Sequence, residues 1–135
     1  MSHEIQQREH EGIVILDFKG RITVGQEASA LREKVAAVTA AGSKNIILNL
    51  LHVDYIDSTG LGALVMCATS QRKAGGALKL ENLNRRNIEL LVMTKLATVF
   101  DLFTDEQDAV NSFFPDRAIK AFDILSFVEQ MKKEG

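Results

Sequence analysis

The run Asn45-Ile46-Ile47-Leu48-Asn49-Leu50 constrains the fold of this chain more than any other stretch. It is apolar at almost every position, which suits a strand covered on both faces at the centre of a parallel sheet. After a short loop, Asp57-Ser58-Thr59-Gly60-Leu61-Gly62 reads as the start of a helix. Asp57 or Ser58 can cap free backbone N–H groups, and Leu61, Leu64, Val65 and Ala68 follow at helical spacing to bury one face. A hydroxyl is thereby placed at a helix N-terminus, beyond the carboxyl end of a buried strand. Open α/β sheets commonly hold their ligand or partner sites there.

The other elements fall into place around that unit. Glu4 to Glu9 and Ile13 to Phe18 predict two antiparallel strands joined by a turn at Glu11-Gly12. Gly20 to Gly25 reads as a further short β-branched segment, and Glu27 to Ala41 as a helix with Ala28, Leu31, Val35 and Val38 inward and Gly42 as its stop. The Ser58 helix runs to about Ala74. Ala77 to Glu81 is a strand, Asn87 to Thr94 a short helix and Val99 to Phe103 a last strand. Thr104-Asp105-Glu106-Gln107 has the form of a capping box with Gln107 at its third helical position, opening a helix through about Phe113. Pro115 breaks the chain. Arg117 to Lys133 predicts a final helix with Ile119, Phe122, Leu125 and Val128 on one side, widened by Ile124, Phe127 and Met131. The order is β-β-α-β-α-β-α-β-α-α, an α/β layer fold with a mixed sheet and parallel interior strands.

With 135 residues the chain is the size of one domain. A net charge of −2 gives no general attraction to nucleic acid or to anionic lipid, so neither is expected as a partner. No apolar run is long enough for a signal or a span, which predicts no membrane insertion and a cytoplasmic location. Cys67 is the single cysteine, expected as a core or near-surface thiol.

An enzyme is not expected. His3, His10 and His52 are scattered without metal-ligand or nucleophile-base spacing, so no metal site is predicted and the three read as ordinary surface or loop residues. Gly60-Leu61-Gly62 lacks a dinucleotide fingerprint, and no phosphate loop is present, so no cofactor is predicted. A receiver-type phosphoacceptor aspartate at Asp57 fails too, because the first and last strands end in Lys19-Gly20 and Thr104-Asp105 rather than in an acidic pair and a lysine. The helix itself is more informative. Its outer side near the N-terminus is expected to present Thr59, Gly62, Ala63 and Met66, small or flexible and uncharged, where a solvated face would carry Lys and Glu. Charges come only at Arg72 and Lys73, in the last turn, where they complement the helix dipole. Such a patch beside an accessible hydroxyl suits a docking surface that added charge could switch off.

From Gly20 to about Phe113, the elements and motifs resemble the STAS domain, most closely the stand-alone bacterial anti-sigma-factor antagonists. The specific match is Ile46-Ile47-Leu48-Asn49-Leu50 through Val53 and Ile56 to Asp57-Ser58-Thr59-Gly60-Leu61-Gly62. The helix start at Ala28 to Leu31, the Gly75-Gly76 turn and the Val99-Phe100 to Ala109 segment are also similar. The resemblance implies a single STAS-like domain over residues 1–114, with 115–135 a helical extension packed on the domain or on a dimer partner. It implies a binding protein without catalytic activity that captures an anti-sigma factor with serine kinase activity and so frees a sigma factor. Ser58 would be the phosphoacceptor, with Thr59 the alternative. Phosphorylation would prevent binding and a serine phosphatase would restore it. The partner-binding set is then Thr23, Asp57, Ser58, Thr59, Gly60, Gly62, Ala63 and Met66. Two positions depart from the family pattern: Thr23 and Asn49 stand where an aspartate is common, removing an acid near the serine. That loss favours the alternative, a STAS scaffold or ligand-binding module of a transporter or lipid-trafficking complex.

Overall fold

The computed structural model describes residues 3–134. β1 (His3–His10) and β2 (Ile13–Ile22) form an antiparallel hairpin. Its loop is Glu11 and Gly12, at φ 54° and 82°, the left-handed pair that matches strand twist in a tight hairpin. Then follow α1 (Gln26–Ala40), β3 (Asn45–Ile56), α2 (Ser58–Lys73), β4 (Ala77–Glu81), α3 (Arg85–Met93), β5 (Leu102–Phe103), α4 (Glu106–Asn111) and α5 (Ile124–Glu134). The sheet runs β1-β2-β3-β4-β5, with every pairing after the hairpin parallel. The chain is therefore a mixed α/β domain with β3 at the centre of its sheet.

Side-chain alternation along the strands divides the interior in two. On one face, Val14, Leu16 and Phe18 of β2 and Ile46, Leu48 and Leu50 of β3 meet Leu31, Val35 and Val38 of α1 and Leu61, Leu64, Cys67 and Ala68 of α2. On the other, Ile13, Ile15, Ile47 and Phe103 meet only Ala109 and Val110 of the short α4, with Phe113 and Phe114 at the margin. Cys67 is buried, and burial pushes its thiol up to about 11, so it is a core side chain rather than a reactive one.

Beside the smaller apolar cluster lies a polar row. Asp17, Asn49 and Glu81 occupy paired positions of β2, β3 and β4. Arg8 of β1 forks between two acids, donating to Asp17 at 2.6 Å and to Glu106 at 2.7 Å. His10 lies 3.0 Å from the Glu106 carboxylate. Asn49 donates to Asp17 at 2.7 Å and accepts from Asn82 at 3.1 Å. Glu81 is fully buried, and no N–H or O–H among the described residues donates to its carboxyl oxygens. Burial and the neighbouring Glu106 carboxylate push it up to about 9, which favours its neutral, proton-carrying form. Arg8 meanwhile pulls Glu106 down to about 2.

Several expected boundaries move. The Gly20 to Gly25 segment is no separate strand: Gly20 to Ile22 finish β2, which stays paired with β3 across two register shifts. The loop expected after Leu50 is instead strand, because β3 continues beside β2 to Ile56 although β4 stops pairing at Asn49. His52 consequently sits on a strand, not in a loop. β5 shrinks to Leu102–Phe103. The cap of α4 is Asp105, accepting from the Asp108 N–H at 3.0 Å, not Thr104. Gln107 therefore makes no capping box and donates to Glu11 and Asn111 instead, both at 2.9 Å. The final helix begins at Ile124 rather than Arg117, because the Phe122 N–H donates to the Leu102 carbonyl at 2.9 Å and holds the approach on β5. Phe122 and Ile124 pack against the main core, Leu125 is exposed, and Glu134 pairs with Arg85 of α3. Among the described residues no helix is long and apolar enough to cross a membrane.

Candidate functional site

Asp57 is the pivot of the site. Its backbone is extended at φ −92°, and its carboxylate accepts from the Gly60 N–H at 2.7 Å, capping α2. The same carboxylate accepts from the Val24 N–H at 3.0 Å, and the Asp57 N–H donates to the Ile22 carbonyl at 3.2 Å. The start of α2 is thus tied to the end of β2 by main-chain and side-chain bonds. Ser58 and Thr59 follow the cap and are exposed. Ser58 makes no side-chain hydrogen bond among the described residues, which leaves its hydroxyl open to solvent.

Gly60 was expected on the partner-facing side, but it is buried. A Cβ there would come within 1.9 Å of the Ile22 carbonyl oxygen, so only glycine lets α2 approach β2 this closely. Gly60→Ala is expected to destabilise the fold by about 1–3 kcal/mol through this forced overlap. Chemical denaturation would measure it, and an unchanged midpoint would contradict the close approach. Ala63 is also buried. The helical wheel placed it outward, but α1 covers a second side of α2, where Gln71 accepts from Thr39 at 2.6 Å. Gly62 and Met66 remain exposed, Met66 by 50%. The outward face is therefore Ser58, Thr59, Gly62 and Met66, narrower than the periodicity implied.

Thr23 is half-buried and donates to Glu27 at 2.6 Å, so an acid stands beside position 23 from the first turn of α1. Asn49 lies on the sheet face away from α2, in the polar row, and its identity does not bear on the serine.

Three residues at the site were not singled out from the sequence. Val24, 68% exposed, stands beside the cap that its own N–H helps to hold. Tyr55 and Arg86 stack, with the guanidinium 5.3 Å from the ring centroid. Both line a groove of about 310 Å³ between the start of α2 and α3, which Asp57 and Ser58 also line. Tyr55 could have been found from its place two residues before the cap. Arg86 could not, since only the packing of α3 brings it there. Among the described residues no group of three His, Cys, Asp or Glu side chains is placed to hold a metal ion.

The family model described as the STAS domain matches residues 4–109. This chain belongs to the STAS domain family. It is 34% identical over 110 residues to the anti-sigma-B factor antagonist of Bacillus subtilis, covering 82% of this chain and 99% of that protein. It is 30% identical over 107 residues to the anti-sigma-F factor antagonist RsfB of Mycobacterium tuberculosis, covering 76% of this chain and 82% of that one. Among solved structures, an anti-sigma factor antagonist from Mycobacterium paratuberculosis superposes with a TM-score of 0.71 at 21% identity, over 82% of this chain and 93% of that chain. That likeness is one of fold.

Proposed function

We propose that this STAS protein is an anti-sigma-factor antagonist: a cytoplasmic binding protein that captures an anti-sigma factor with serine kinase activity and is switched off by phosphorylation of Ser58. The observation that carries it is the exposed hydroxyl of Ser58 beside a rigidly fixed cap, with the uncharged Thr59, Gly62 and Met66 along the same helix face. The names of the curated relatives support the partner class. A fixed cap suits a switch, since added charge then acts on the interface rather than on the fold. A serine phosphatase would complete the cycle, and Thr59 is the substitute acceptor. Residues 1–114 would form the switching unit and 115–135 an appended segment. The scaffold alternative drew on the missing acid at Thr23. With Glu27 hydrogen-bonded to that threonine, the switch is favoured.

The test is to incubate the protein with its cognate kinase and ATP and locate the phosphate by mass spectrometry. One phosphate on Ser58, absent from Ser58→Ala, is expected. No incorporation, or incorporation away from Ser58 and Thr59, would favour the scaffold.

A further inference from the structure

We propose that Arg86 is the residue that reads the modification state of Ser58: it leaves the Tyr55 ring to pair with a phosphate on Ser58, and so couples phosphorylation to the shape of the docking face. This rests on Ser58 as the phosphoacceptor and adds the group that answers it.

The groove holds two anions and one cation among its lining residues, and both anions are already held, whereas the cation has no carboxylate partner among the described residues. Asp57 accepts from two backbone N–H groups. Glu89 is paired with Arg85, which also reaches Glu134. Arg86 has no carboxylate partner among the described residues and rests on the face of Tyr55. An exposed stack of this kind is weak, whereas a guanidinium pairs with phosphate through two parallel charged hydrogen bonds. A dianion on Ser58 is placed at the same groove of about 310 Å³, where the lining carboxylates Asp57 and Glu89 only add negative charge. Arg86 is the only lining cation that can neutralise the phosphate. Arg86 and Ser58 line one groove, and the rotatable arginine stem lets the guanidinium swing from the ring toward the serine. Tyr55 is then uncovered, so the aromatic and cationic features a partner would meet are both rearranged.

The chain has one tyrosine and no tryptophan, so its intrinsic fluorescence reports on Tyr55 alone. The experiment installs phosphoserine at position 58 of the full chain by genetic encoding, which needs no kinase. The phosphate is titrated by ³¹P NMR in wild-type, Arg86→Gln and Arg86→Lys backgrounds. A phosphoserine ordinarily takes up its second proton near pH ~6. The wild-type phosphate is expected to titrate at least about half a pH unit below that of Arg86→Gln, a threefold or greater shift in proton affinity, with Arg86→Lys between them. Tyr55 emission should change on phosphorylation in wild type and stay constant in Arg86→Gln. Equal melting temperatures of unmodified wild type and Arg86→Gln establish that the variant is folded. Identical phosphate titrations in wild type and Arg86→Gln, or Tyr55 emission indifferent to phosphate in wild type, would overturn the proposal. Because the phosphate is encoded, a kinase that never modifies Ser58 defeats the proposed function and leaves this result standing on its own.

Discussion

Ser58→Asp is expected to weaken binding of the proposed anti-sigma kinase partner by up to two or three orders of magnitude while leaving the melting temperature unchanged, and full phosphorylation should weaken it at least as much. The domain tolerates the charge because a helix N-terminus favours an anion, typically by 0.3–1 kcal/mol. An interface does not. Docked against a partner, the charge would lose water beside Asp57, whose carboxylate is committed to Gly60 and Val24. Burying an ion costs several kcal/mol even beside a counter-charge such as Arg86, whose guanidinium would lose water with it, and each 1.4 kcal/mol is tenfold in affinity. The aspartate carries one charge where phosphate carries about −1.5 to −2, so it reproduces part of the loss. Ser58→Ala should bind like the unmodified protein and stay bound when ATP is added. Calorimetric titration against the cognate kinase measures all three forms. Wild-type affinity for Ser58→Asp, or a loss accompanied by unfolding, would show that the interface is not switched in this way.

The parts of this site that were legible in the sequence are those fixed by local chemistry. The apolar run of β3, the Asp-Ser-Thr-Gly helix start and the inward spacing of Leu61, Leu64 and Ala68 each follow from a few neighbouring residues. Asp57 as the cap was one of two possibilities, and the Val24 N–H helped to select it by offering the same carboxylate a second donor. Gly60 and Ala63 could not be placed from helical periodicity alone. A wheel assigns one buried arc, but α2 is buried against both the sheet and α1. The extension of β3 from Leu51 to Ile56 was hidden for a related reason. Only Val53 and Ile56 of that stretch are buried, so its burial does not alternate, and the pairing of Lys19, Gly20, Arg21 and Ile22 with His52, Val53, Tyr55 and Ile56 is what makes it a strand.

At the C-terminus, tertiary contact overrode spacing. Ile119 and Phe122 fit a helical face as well as an extended segment, and the free carbonyl of Leu102 at the sheet edge decided for the latter. The polar row was beyond reach from sequence altogether. Glu81 and Glu106 lie far along the chain from the hairpin pair Arg8 and Asp17, and nothing local announces that β4 buries an acid.

That acid gives the fold a distinctive pH dependence, which Glu81→Gln is expected to remove on the alkaline side. In the unfolded chain both carboxyls titrate near their ordinary 4.5, whereas the folded pair keeps one proton from about 2 to about 9. Above 4.5 the folded state therefore holds one proton more than the unfolded state, and this pair's contribution to stability falls as pH rises toward 9. Below 4.5 the unfolded state holds more protons, and the contribution falls as pH drops toward 2. The slope on either side approaches ~1.4 kcal/mol per pH unit. Arg8 and His10 of β1 and Asp17 of β2 also belong to this cluster, but they are present in both proteins and largely cancel in the comparison. A glutamine keeps the shape and an N–H donor toward Glu106 without an ionisable proton. Urea unfolding at pH 5, 7 and 9 should then show wild type losing stability relative to Glu81→Gln at each step, by several kcal/mol across the range, while the acid limb set by Glu106 persists in both. Parallel curves from pH 5 to 9 would mean that Glu81 is already ionised.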